Sequence, residues 1–123
     1  QNLKFNKGAY IFLISSSIIK EPPPTMVLSN AYRTAFLSTF KSFAKISIKK
    51  KINCISIAPG AIKTDRLKKL VKNLKLFEKT LPHGKLGNPS EIGKFIKYIV
   101  ENNIKYLNGS HINFDGGQSN FLF

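Results

Sequence analysis

The stretch Lys51-Ile52-Asn53-Cys54-Ile55-Ser56-Ile57-Ala58-Pro59-Gly60-Ala61-Ile62-Lys63-Thr64 constrains this chain most. Its first half is a short apolar run rich in β-branched residues, the pattern of a buried strand. Pro59 cannot donate to a sheet ladder, and Gly60 lets backbone approach a ligand closely. The spacing therefore predicts a strand that stops at Pro59 and passes into a loop. In a parallel α/β sheet that loop lies at the carboxyl edge of the strands, where such sheets bind ligands.

The neighbours of this stretch agree with that setting. Ala9 to Ile14 reads as a second buried strand, with Ser15-Ser16-Ser17 at its carboxyl end. Pro22-Pro23-Pro24 forces a loop, because proline blocks helix and ladder alike. From Leu28 to Ile48 the pattern is helical: Tyr32, Phe36, Phe40, Phe43 and Ala44 recur at three- and four-residue steps and make one apolar face. Lys49-Lys50-Lys51 closes that helix at the end that favours positive charge.

Beyond the organising loop, Thr64-Asp65 is a cap signal. Leu67, Leu70, Val71 and Leu74 predict a basic amphipathic helix over Asp65–Lys79. Asn88-Pro89-Ser90-Glu91 starts a third helix, with Ile92, Phe95, Ile96, Ile99 and Val100 as its stripe. Asn108-Gly109 is a turn, Ser110 to Phe114 a short strand, and Asp115-Gly116-Gly117 a second turn. Strands alternating with helices imply a parallel sheet with crossover connections. Three strands would leave the first with a long apolar free edge, which natural sheets avoid. The chain is therefore expected to be incomplete alone, its sheet finished by missing sequence or by another chain.

The length of 123 residues suits one domain. No apolar run is long enough to cross a bilayer, and Gln1-Asn2-Leu3-Lys4 lacks the form of a signal peptide; with no initiator Met, a trimmed start is expected. The single Cys54 excludes an internal disulfide and points to core packing in a reducing, cytoplasmic setting. His83 and His111 have no carboxylate cluster beside them, so no metal set is expected. The net charge of +14 comes almost wholly from lysine, with Arg33 and Arg66 the only arginines. Phosphate-fork arginine is too scarce to favour a nucleic-acid module, which charge alone supports.

Four stretches together carry a family likeness: the strand ending in Ser15-Ser16-Ser17; Ile52 to Thr64; Pro82-His83-Gly84-Lys85-Leu86-Gly87-Asn88-Pro89-Ser90-Glu91-Ile92; and Tyr106-Leu107-Asn108-Gly109 with Asp115-Gly116-Gly117. In this order and spacing the chain resembles the short-chain dehydrogenase/reductase family, its 3-oxoacyl-acyl-carrier-protein reductase-like members in particular. The likeness implies a Rossmann-like doubly wound α/β parallel sheet, of which residues 1–123 would be the C-terminal half: three strands with flanking helices. No glycine-rich pyrophosphate turn occurs, so the adenosine half of a cofactor has no seat here.

The resemblance also implies an activity. Family members are NAD- or NADP-dependent, reducing a carbonyl or oxidising an alcohol, and they use a Ser, a Tyr, and a Lys four residues after the Tyr. Aligned through Arg33-Thr34-Ala35 and Lys41-Ser42-Phe43-Ala44, those positions fall on Ser16, Ser29 and Arg33. A serine hydroxyl is a far poorer acid than a phenol, and loss of a positioned acid forfeits about 10²–10⁴ in rate. Tyr32 shares the helix face of Ser29 and Arg33 and is a substitute candidate. Arg33, Pro59, Gly60, Ile62 and Thr64 would hold the nicotinamide end, with Ile62 backbone meeting the carboxamide. The substrate would be a small-molecule or carrier-linked carbonyl, for which the lysine-rich lid helix suits an acidic carrier. Helix Leu28–Ile48 and the tail Phe121-Leu122-Phe123 fall on the family's oligomer surfaces, so a homo-oligomer is expected. The alternative is a catalytically inactive homologue acting through assembly or binding.

Overall fold

A computed structural model describes residues 5–121; the first four residues, and Leu122 and Phe123 of the apolar tail, lie outside the described residues. Three strands, β1 (Tyr10–Ile14), β2 (Asn53–Pro59) and β3 (His111–Phe114), form one parallel sheet in the order β1-β2-β3. The helices are α1 (Val27–Ser47), α2 (Asp65–Leu70), α3 (Leu74–Glu78) and α4 (Pro89–Glu101).

The centre of the sheet is the stretch that most constrained the sequence. Every residue of β2 is buried, because strands and helices cover both its edges and both its faces. Burying side chains such as Ile55 and Ile57 contributes roughly 1.5–3 kcal/mol each. Side chains alternate across the sheet. Cys54 therefore faces α1 and packs with Ala44 and Ile52, while Phe114 faces α4 and meets the Phe95 ring at 5.8 Å. Helices on both faces make this the doubly wound arrangement the sequence predicts. Cys54 is wholly buried with its sulfur 3.3 Å from Ser47 Oγ, a packing residue as expected.

Two elements depart from their sequence patterns. The basic segment Asp65–Lys79 is two short helices, not one. Val71 turns extended, and the Asn73 side chain accepts from Leu76 N–H at 3.1 Å, capping a new start. The apolar face of α1 is also split. Ala44 is buried and Phe40 half-buried, but Tyr32, Phe36 and Phe43 stay exposed. They sit beyond the free side of β1, where the ladder leaves the backbone groups of Tyr10, Phe12 and Ile14 without a neighbouring strand among the described residues. A groove of about 880 Å³ between that edge and α1 is lined by Phe12, Phe36, Phe40 and Phe43.

Helix α4 begins with a complete capping box. Asn88 accepts from Ser90 N–H, and Glu91 reaches back to Asn88 N–H. Phe121 lies under the Lys20 ammonium, 4.5 Å from its ring centroid. No helix among the described residues is long and apolar enough to cross a membrane.

Candidate functional site

The carboxyl ends of β1 and β2 open into one crevice of about 600 Å³. From the end of β1 come Ile14 and the serine run; Ser16 lines the crevice, and Ser15 and Ser17 are themselves buried. From the end of β2 come Pro59 and Gly60, then Ile62 and Thr64 of the following loop. Arg33 enters from α1, and Leu67, Leu70 and Phe77 close the outer side from α2 and α3.

Arg33 is fixed from two directions. Its Nε donates to Ser29 Oγ at 3.3 Å, and one terminal nitrogen donates to the Ser15 carbonyl at 3.1 Å. A guanidinium carries five N–H donors, so three are left for a ligand. Ser29 thus joins the site through Arg33 and does not itself line the crevice. Tyr32 lies apart. It is 76% exposed and borders an adjoining hollow on the open side of β1, which shares Ile14, Ser15 and Arg33 with the crevice. Ser16 Oγ accepts from Ile18 N–H at 3.5 Å, a long contact that leaves its own hydrogen free to donate.

The Pro59 loop is held by two neighbours. Ala61 accepts from Gly87 N–H at 2.9 Å and Lys63 N–H donates to the Gly87 carbonyl at 2.9 Å, a one-residue parallel bridge across Ile62. Those bonds use the residues flanking Ile62. The N–H and C=O of Ile62 point the other way and have no partner among the described residues. From the second side, Gln118 Oε1 accepts from Ala61 N–H at 2.9 Å. A Cβ at Gly60 would fall 2.5 Å from that oxygen and 2.9 Å from Asp115 Cα, so glycine is required there for close approach. Thr64 caps α2, its hydroxyl accepting from Leu67 N–H at 3.3 Å.

Charge in the crevice is unusual. Arg33 and Arg66 both line it, and no lysine, carboxylate, histidine or tyrosine does so among the described residues. Arg66 and Gln118 were not legible as site residues. Nothing local says which side of a six-residue helix faces inward, or that a turn 57 residues away would reach Ala61. The one available signal for Arg66 was the rarity of arginine in a lysine-rich chain. His83 is exposed, whereas His111 is half-buried on β3, its Nδ1 2.9 Å from Ser56 Oγ.

A sequence profile of the family described as enoyl-(acyl carrier protein) reductase matches residues 2–119. The chain is 32% identical over 118 residues to 3-oxoacyl-acyl-carrier-protein reductase FabG of Chlamydia trachomatis, covering 95% of this chain and 47% of that one. It is 27% identical to the 2-keto-3-deoxy-L-fuconate dehydrogenase of Xanthomonas campestris, covering 96% of this chain and 42% of that one. Among solved structures, the fold resembles an NADPH-bound short chain oxidoreductase from Pseudomonas aeruginosa, described as containing an atypical catalytic centre. That match has a TM-score of 0.82 at 24% identity and covers 94% of this chain and 48% of the other. The chain spans about half the length of the curated relatives it matches. On its profile match, its relatives and its doubly wound sheet, the chain belongs to the short-chain dehydrogenase/reductase family.

Proposed function

We propose that residues 1–123 form the C-terminal, nicotinamide- and substrate-facing half of an NAD- or NADP-dependent short-chain oxidoreductase domain acting on a small-molecule or carrier-linked carbonyl. One observation carries this reading: Ser16, Arg33 and the unengaged Ile62 backbone meet in one crevice at the carboxyl edge of the sheet. Ile62 also supplies the fit to the cofactor. A carboxamide needs one donor and one acceptor side by side, and Ile62 offers N–H and C=O together. Arg33 has donors left for ribose hydroxyls, and Thr64 stands at the loop's end. The cofactor, when bound, supplies or accepts the hydride.

The protein's part is then positioning and charge stabilisation. Ser16 O–H and the Arg33 guanidinium donate to the carbonyl oxygen, where negative charge develops during reduction. Among the described residues no histidine, carboxylate, tyrosine or lysine lines the crevice. The proton that completes the alcohol therefore comes from solvent, and carbonyl reduction is favoured over alcohol oxidation, which needs a base. The lone buried Cys54 suits a reducing, cytoplasmic setting. The exposed Tyr32, Phe36 and Phe43 of α1 suit a homo-oligomer or further sheet.

Thermal unfolding with NADH or NADPH tests the reading. At a hundredfold excess over Kd, binding raises stability by about 2.7 kcal/mol; no shift with either cofactor would overturn it. A second reading, an inactive homologue acting through binding or assembly, draws on one fact: no phenol lines the crevice, since Ser29 is engaged with Arg33 and Tyr32 lies outside. Cofactor binding without turnover of any carbonyl compound would select it.

A further inference from the structure

Of the 20 lysines and arginines only two are arginine, and both line the crevice, where no lysine stands among the described residues. Arg33 spends two of its five donors on Ser29 and Ser15, and on the proposed reading the rest serve cofactor and carbonyl. Arg66 stands on the first turn of α2, exposed, and the ion pairs among the described residues leave it out. Its neighbour Asp65 is turned to solvent and held by Lys68 at 2.8 Å, so it does not neutralise Arg66. The walls nearby are apolar: Leu67, Leu70, Phe77, Met26 and Ile18. A planar guanidinium at the mouth of an apolar crevice, with no ion-pair partner among the described residues, is suited to a bidentate carboxylate, and a lysine would not serve as well.

We propose that Arg66 binds the carboxylate of the substrate, which is therefore an oxo acid with a short apolar body, its carbonyl directed toward Ser16 and Arg33. This assignment rests on the oxidoreductase reading above. The competing source of an oxyanion is the cofactor's pyrophosphate, and the experiment separates the two.

With two arginines, the nitrogen-labelled chain gives two Nε–Hε NMR signals, assigned with Arg66→Gln. Three probes are titrated at fixed ionic strength: α-ketoisocaproate, its neutral methyl ester, and inorganic pyrophosphate. The Arg66 signal is expected to move saturably with the oxo acid. Its affinity should exceed those for ester and pyrophosphate by about tenfold or more, the worth of one charged hydrogen-bonded pair. Arg66→Gln should cost a similar factor. An unmoved Arg66 signal, or equal binding of acid and ester, overturns the proposal. Tighter pyrophosphate binding overturns it too, by assigning Arg66 to the cofactor. A parallel NADH and NADPH titration follows the Ile62 and Thr64 amides. If they respond while the oxo acid fails, only the carboxylate assignment falls; if they are silent with both cofactors, the oxidoreductase reading falls, whatever Arg66 does.

Discussion

On the proposed reading Ser29 and Arg33 stand in for a phenol and an ammonium, and the structure couples them directly at 3.3 Å. A positioned acid contributes about 10²–10⁴ in rate. The double replacement Ser29→Tyr with Arg33→Lys is therefore expected to raise carbonyl-dependent NADPH oxidation by about that factor. Unchanged turnover with cofactor binding intact would show that these positions do not carry the proton. His111 gives a second residue-scale prediction. Burial, and after it the nearby Lys20 and Lys41 charges, hold its imidazole below the usual histidine range. The folded state thus favours the neutral ring. Its contribution is fully present above the unfolded value of about 6.5 and is lost as pH falls through the lower folded value. Thermal midpoints measured between about pH 7 and pH 5 should fall, and His111→Asn should flatten part of that slope.

At the scale of elements, Asn108 joins three of them. Its side-chain oxygen accepts from Cys54 N–H of β2 at 2.7 Å, and its amide donates to the Ala44 carbonyl of α1 at 3.2 Å, while its own residue leads into β3. Asn108→Ala leaves the buried Cys54 N–H unpaired, while the Ala44 carbonyl keeps its bonds from Ile48 N–H and Ser47 Oγ, so a loss of about 1–3 kcal/mol is expected in denaturant unfolding. Such roles were only partly legible. Pro59 and the Asn88 to Glu91 box announce themselves locally, because proline chemistry and capping act within a few residues. Asn108 reads merely as a turn residue, since its partners lie 54 and 64 positions away. The break at Val71 was hidden for another reason. The leucine spacing continues through it, and the Asn73 cap decides the outcome against weak propensity. The crevice itself was foreseeable from Ser16 and Pro59, whereas the inward aspect of Arg66 depends on how α2 turns.

For the molecule as a whole, the free side of β1 dominates. Phe36, Phe43 and Ile46 are exposed beside it, along a groove of about 880 Å³. Expressed as these 123 residues, the chain is expected to self-associate, with the apparent mass in sedimentation rising with concentration. The pair Phe36→Lys and Phe43→Lys should suppress it without unfolding the sheet, since neither side chain is buried. A strand arriving at this edge does more than hide apolar surface. Side chains alternate along it, so the only slip that keeps its faces correct is two residues, a displacement of about 6.6 Å. That strand would end beside Ile14 and Ser15, where the crevice begins. A ligand spanning the seam would then reward one alignment over its neighbours, acting as an inspector of assembly as well as a reactant.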